Sequence, residues 1–429
     1  MTPQSHNAPC DENRFFRLVP AGLALGIPLG LALATLPEAG TTWHRIAVIS
    51  AWAGSGLLTA AMLLMVRTPR LSRIFGDLDN AYLWHHRCGT GAYLALLLHP
   101  LALAMDSAQS SPGAGWAAIA PTSKDWPLWL GWASLLGLML GLITTFALKL
   151  PYRIWRNAHW LLAFGVVGGV AHALAYKASH PAGLALAGLC MLALAARFVS
   201  TVLATSALRY RVVETKPVAE RIVELRLQPE NDHIGLHPGQ FVMVAFDTNH
   251  AHHGCGEFHP FTASAVGEDG SLGLAIKALG PCTRHIQTMK PGALARVQGP
   301  FGGFLSRSRN RPQLWIAAGI GITPFVAALR AKRCPVATEL IYAFAERCST
   351  AFIDELGVLA DGDSLLSLTG IEAADARAAI QSRLDEIGDL SERAVQICGP
   401  ADMVAWIAKE ARRRGVATGN IHYERFDFR

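Results

Sequence analysis

Paired cysteine is missing from this sequence. The eight Cys lie singly, with no CxxC, so neither a disulfide framework nor a zinc site of familiar spacing is indicated. Charge is scarce: Asp, Glu, Lys and Arg make up 16% of the chain, and residues 18–203 hold little of it. No small-residue cleavage site follows the first apolar run, which therefore reads as a retained helix. No EF-hand pattern D-x-[DN]-x-[DN]-G occurs, which argues against calcium control by a fused module. The net charge of +6 is not gathered into one patch. Many Arg and Lys flank apolar segments instead, so nucleic acid is not an expected partner.

What is present divides the chain. At 429 residues it exceeds what one core usually organises, and an apolar first half precedes a soluble second half. Spanning a bilayer takes about 20 apolar residues, and six segments come close: 18–36, 44–66, 83–105, 126–148, 157–176 and 182–203. Arg67, Arg70, Arg73, Lys149, Arg153, Arg156, Arg209 and Arg211 fall in alternate connections, whereas the others hold only Lys124 and Lys177. The positive-inside rule then puts both termini and the soluble half in the cytoplasm.

Polar residues at membrane depth mark function by default. The third span, LWHHRCGTGAYLALLLHP, carries His85, His86 and His99, and the fifth, NAHWLLAFGVVGGVAHAL, carries His159 and His172. Each helix has one His near its start and another about 13 or 14 residues on, a rise of about 20 Å. Because the two spans run in the same direction, His85 meets His159 on the inner side and His99 meets His172 on the outer side. Two imidazoles are a normal axial ligand pair for haem iron and leave no open position, which favours electron transfer. Fourteen residues at about 100° each keep His85 and His99 on one face, so His85 is preferred to His86. The thirteen residues from His159 to His172 leave them about 140° out of phase, which calls for local rewinding or another approach angle. Arg87, Arg153 and Arg156 at the inner mouth read first as topology anchors.

From Tyr210 the pattern alternates as β-strands, RYRVVETKPV, RIVELRLQP and FVMVAF, suggesting a small antiparallel barrel. HPFTASA (259–265), IKALGPCTRHI (276–286) and VQGPFGGF (297–304) follow. Beyond Arg311, strands alternate with helices. LWIAAGIGITPFVAAL runs a strand through a glycine turn into a helix, an arrangement that offers N–H groups to a pyrophosphate. AVQICGPADMVAW repeats the strand-to-turn pattern, and IHYERFDFR reads as a closing strand.

The order HPFTASA, IKALG, GPFG, GIGITPF, CGP and a terminal aromatic strand resembles the ferredoxin-NADP reductase superfamily. Joined to a His-paired bundle, it is similar to the ferric reductase / NADPH oxidase family, over roughly residues 45–429. The resemblance implies a six-helix transmembrane haem domain (18–205) after a cytoplasmic tail (1–17). It further implies an antiparallel β-barrel FAD domain (208–306) and an α/β NAD(P)H domain (311–429). By the same resemblance His259, Pro260, Phe261 and Thr262 contact the flavin, and Lys277, Gly280 and Thr283 cradle its pyrophosphate. Gly319, Gly321, Thr323 and Pro324 form the nicotinamide-dinucleotide turn, Cys398, Gly399 and Pro400 lie near the reactive nicotinamide carbon, and Phe426 covers the flavin ring, with Phe428 the second choice. Ala318 replaces the usual leading glycine of the nucleotide turn. Arg347, after the strand ELIYAF, is placed for a ribose 2′-phosphate, which leans toward NADPH over NADH. The loop NHAHHGCGEFH is read as a solvated flavin-domain loop rather than a metal site.

The expected function is electron transfer from cytoplasmic NAD(P)H through FAD and two b-type haems to an outer acceptor, in a bacterial inner membrane. The outer loop 106–125 is small-residue rich and lacks a chelating cluster, which favours oxygen and superoxide formation over reduction of a ferric chelate. The remaining alternative is donation to a periplasmic redox protein.

Overall fold

The computed structural model describes residues 12–122, 125–148, 150–177, 180–202, 206–247, 256–306, 310–332, 336–372 and 375–425. The chain divides into two compact units, 1–205 and 206–429.

The described part of the first unit is helical throughout: α1 (Glu12–Ala34), α2 (Thr42–Leu64), α3 (Pro69–Ile74), α4 (Leu78–Ala108), α5 (Pro112–Ile119), α6 (Trp126–Phe146), α7 (Tyr152–Ala158), α8 (Trp160–Lys177) and α9 (Pro181–Arg197), which ends in a π-helical turn, Phe198–Val202. Among the described residues, five spans are long and apolar enough to cross a membrane: Thr42–Leu64, Asn80–Ala108, Trp126–Phe146, Ile154–Tyr176 and Pro181–Ser200. Of the six segments expected, the first supplies a shorter apolar stretch, Leu18–Ala34. The unit is apolar on its outside, where Leu25, Leu29, Leu94, Leu101, Trp129, Leu136 and Phe164 are exposed. In water such a surface would aggregate, and in lipid it costs nothing.

Where helices meet, small residues let backbones approach. A Cβ on Gly54 would stand 2.7 Å from Leu96, one on Gly56 2.7 Å from the Pro28 Cα, and one on Gly141 2.5 Å from Leu162. This close packing replaces the hydrophobic drive that lipid removes. The Ser134 hydroxyl donates to the Gly165 carbonyl across α6 and α8 at 2.5 Å.

In the second unit β1 (Leu208–Ala219), β2 (Ile222–Pro229), β3 (Phe241–Phe246), β4 (His259–Val266), β5 (Leu272–Lys277) and β6 (Leu294–Phe301) close a barrel in the order β1-β2-β5-β4-β3-β6. Every pairing in it is antiparallel. Helix α10 (Pro281–Ile286) follows β5. A parallel sheet β11-β10-β7-β8-β9 comes next, from β7 (Gln313–Ala318), β8 (Thr338–Phe344), β9 (Leu366–Glu372), β10 (Ala394–Gly399) and β11 (Ile421–Arg425). It is covered by α11 (Thr323–Arg330), α12 (Ile353–Asp361), α13 (Ala376–Ile387) and α14 (Ala401–Arg413). The strands of this sheet read as apolar runs because both faces are buried: Leu314, Ile316, Leu340, Ile341, Val395 and Ile397 are inaccessible to solvent.

Candidate functional site

The histidines of the first unit fall into two pairs. The His85 and His159 rings have centroids 6.3 Å apart, and those of His99 and His172 are 6.4 Å apart. Two imidazoles on one metal, each with a bond of about 2 Å and roughly 1 Å more to its ring centre, have centroids about 6 Å apart. The pairs have that separation. His86 instead stands edge-on to His85, with centroids 5.6 Å apart.

Three of the four paired rings are anchored alike. Nδ1 of His85 bonds the Ala61 carbonyl at 2.9 Å, Nδ1 of His99 the Ala47 carbonyl at 2.9 Å, and Nδ1 of His172 the Pro127 carbonyl at 2.7 Å. A carbonyl only accepts, so Nδ1 carries the proton and Nε2 keeps its lone pair for a metal. Nδ1 of His159 lies 3.5 Å from the Thr145 hydroxyl. Ala47 and Ala61 both belong to α2 and repeat the fourteen-residue spacing of His99 and His85 on α4. One helix therefore sets the tautomer at both levels.

The phase mismatch between His159 and His172 has a local resolution. Helix α7 ends at Ala158 and α8 starts at Trp160. At the break the Leu162 amide bonds the His159 carbonyl three residues back, a tighter winding than the α-helix. Gly131 on α6 makes room at the His99–His172 pair, since a Cβ there would stand 2.9 Å from the His172 ring. Arg197 on α9, unremarked in the sequence, bonds the Met65 carbonyl at 3.1 Å. Arg87 packs over Trp84 at 5.0 Å.

In the second unit HPFT begins β4, with His259, Pro260 and Phe261 half-buried and Thr262 buried. Lys277 ends β5, and Gly280 caps α10. The Thr283 hydroxyl accepts from the amides of Leu279 and Gly280, both at 2.9 Å, and so holds the turn open-ended. A Cβ on Gly280 would meet nothing within 4 Å, so the space beside the helix start is open.

The turn expected to receive the dinucleotide is the short helical stretch Gly319–Ile322 leading into α11, where Thr323 and Pro324 occupy the first positions. Gly319 has φ +53°, a left-handed conformation that favours glycine. Gly321 is required by space, because a Cβ would lie 2.3 Å from the Cys398 carbonyl oxygen. The turn thus packs directly on Cys398 and Gly399 at the end of β10, with Pro400 capping α14. Ala318 has φ −133°, extended backbone that does not call for glycine.

Glu424 on β11 lies in the closing strand IHYERFDFR, two residues before Phe426, where nothing in the sequence marks it as a site residue. It is buried at 5% exposure, and its carboxylate accepts from the Thr262 hydroxyl at 3.4 Å. Burial, with Glu424 adding to it, pushes the Cys398 thiol well above the usual range. Thr262, Cys398 and Glu424 thus bring together the flavin motif, the CGP loop and the last strand. Arg347 is exposed and pairs with Asp354 at 2.7 Å, while its amide donates to Glu372. Phe426 and Phe428 lie outside the described residues.

Residues 50–170 match the family described as ferric reductase like transmembrane component, and residues 211–305 match the oxidoreductase FAD-binding domain. The probable dihydroorotate dehydrogenase B (NAD(+)) electron transfer subunit of Methanopyrus kandleri is 31% identical over 212 residues, covering 48% of this chain and 74% of that protein. Ferredoxin–NADP reductase B of Sorangium cellulosum is 29% identical over 241 residues, 51% of this chain and 96% of that one. A superoxide-generating NADPH oxidase heavy chain of Dictyostelium discoideum is 27% identical over 143 residues, 28% of this chain and 20% of its own length. A ferric reductase-type bundle, an FAD-binding barrel and a parallel sheet thus follow one another in a single polypeptide. The chain belongs to the ferric reductase/NADPH oxidase-like family and is an integral membrane oxidoreductase that transfers electrons from NAD(P)H by way of FAD.

Proposed function

We propose that this chain carries electrons from cytoplasmic NADPH across a bacterial inner membrane to molecular oxygen, through FAD and two b-type haems, and forms superoxide. One NADPH and two O2 give NADP+, a proton and two superoxide ions. NADH is the less favoured donor. In this reading residues 1–17 are a cytoplasmic tail, 18–205 a six-span haem domain, 208–306 the FAD domain and 311–429 the NAD(P)H domain, with both termini inside.

The observation that carries the reading is the pair of imidazole couples 6.3 and 6.4 Å between centroids. His85 with His159 would hold the inner haem and His99 with His172 the outer one. FAD, when bound, accepts a hydride and releases its electrons singly, and bis-imidazole haem carries single electrons without binding oxygen. The side chains supply position. The carbonyls of Ala61, Ala47 and Pro127 hold the imidazoles in the ligating tautomer. His259, Pro260, Phe261 and Thr262 line the flavin, and Lys277, Gly280 and Thr283 its pyrophosphate. Gly319, Gly321, Thr323 and Pro324 receive the dinucleotide, whose nicotinamide comes beside Cys398, Gly399, Pro400 and Glu424, where Phe426 would otherwise stack. A 2′-phosphate would exchange for Asp354 on Arg347.

The test follows NADPH oxidation by purified, FAD-loaded protein alongside cytochrome c reduction with and without superoxide dismutase. Dismutase-sensitive reduction is the expected result. Haem reduction without a dismutase-sensitive product would transfer the reading to a ferric chelate or a periplasmic redox protein, and absence of a haem spectrum would remove its basis.

A further inference from the structure

The turn that enters β4 and the first turn of α10 bring three metal-binding side chains together. Ligand atoms of Glu257, His259 and Cys282 all lie within 4.8 Å of one another, and each residue is half-buried. Glu257 lies in the bend just ahead of β4 and His259 is the first residue of that strand. Cys282 sits in the first turn of α10, just after Pro281. The turn ahead of β4 is held from β6: Arg296 lies over the Phe258 ring at 5.3 Å and reaches the Gly256 carbonyl at 3.5 Å.

We propose that Glu257, His259 and Cys282 form a site for a thiophilic divalent cation of the Zn2+ class, which excludes FAD while it is bound. Carboxylate, imidazole and thiolate are the donor types such an ion takes, with bonds of about 2.0–2.3 Å. Around a tetrahedral ion these bonds put ligand atoms roughly 3.5 Å apart, so rotation of the three side chains by about an ångström closes the site. A carboxylate and a thiolate together neutralise the +2 charge, and the thiol proton passes to solvent as the Cys282 sulfur bonds the ion. Three protein ligands leave a fourth position for water. Harder ions such as Mg2+ want an all-oxygen set and are not served here.

The exclusion of FAD, though not the metal site itself, rests on the assignment of His259 and the start of α10 to the flavin. Zn2+ would draw the His259 ring and the Cys282 sulfur toward each other at the start of α10, where Gly280 leaves open space.

The experiment uses the full-length protein in detergent, first freed of flavin, with Co2+ as a coloured probe. A thiolate-to-cobalt charge-transfer band saturating at one equivalent is expected, lost in Cys282→Ser and kept in Cys255→Ser. Glu257→Gln, which removes one charge without touching the thiol, should raise the Co2+ dissociation constant at least tenfold. Zn2+ should bleach the band. A missing band, a band kept in Cys282→Ser, or one lost in Cys255→Ser instead would overturn the site. FAD is then added and its binding read from flavin fluorescence. The band should fall in step with flavin bound; a band that persists while FAD binds overturns the exclusion. If no FAD binds, the flavin assignment fails, while the cobalt spectra still decide the metal site.

Discussion

A Cβ added at Gly131 would press on the His172 ring, and a residue with no chemistry of its own therefore governs a candidate ligand. If the two histidine pairs hold the proposed haems, Gly131→Val should turn that imidazole away from His99 and lower haem content from two per chain to one, read from the pyridine haemochrome spectrum. His86→Ala should leave it at two. At Cys398 the issue is ionisation. Its raised pKa means the buried thiol stays protonated where an unfolded thiol would ionise, above about 8.5. The stabilisation from keeping it neutral is complete below that pH and is lost as pH rises toward the folded value. Alkylation by iodoacetamide at pH 8.5, read by mass spectrometry, should spare Cys398 in the native protein and label it after unfolding. The histidines were legible in the sequence because a polar side chain in an apolar run is costly and needs a reason. Glu424 was not, since only the parallel pairing of β11 with β10 brings it beside Cys398. The Glu257, His259 and Cys282 group was hidden for the same reason, its members coming from two elements.

Among the elements, α11 carries a clamp. Arg330, at its last position, bonds Glu224 of β2 at 2.5 Å, the Ser264 carbonyl of β4 at 3.2 Å and Glu355 of α12 at 2.7 Å, with Phe352 beneath its guanidinium at 4.9 Å. Although burial opposes the charge, Glu355 and Glu224 hold this guanidinium above its ordinary range. Arg330→Ala strands two partly buried carboxylates and should cost about 3 kcal/mol, measured by urea unfolding followed by flavin fluorescence. Helical periodicity revealed the long spans but passed over α5, which lies within the small-residue-rich outer loop 106–125. Its signals were present nonetheless: Ser111 caps it and Pro112 opens it. The break between α7 and α8 was foreshadowed by the phase of two histidines, though angular arithmetic alone did not place it at His159.

For the molecule as a whole, the division at 205/206 separates two solvents. The second unit has its own cores, in the barrel and on both faces of the parallel sheet. Residues 206–429 expressed alone should stay soluble without detergent and reduce ferricyanide with NADPH while showing no Soret band. Loss of that activity with FAD still bound would mean that the membrane unit completes the nucleotide site. The two-part organisation was legible because composition changes abruptly near residue 205. The order of the strands within each sheet was not, because register depends on pairings between distant segments.

The shared use of α2 by both histidine levels sets a length standard. Ala47 and Ala61 receive His99 and His85, so the gap between the levels is a helix rise of about 20 Å, independent of the bilayer around it. A thicker or thinner membrane tilts helices at a modest cost but does not stretch them. Reconstituted in phosphatidylcholines of increasing chain length, the protein should pass electrons between its two levels at one unchanging rate, even where insertion and yield vary.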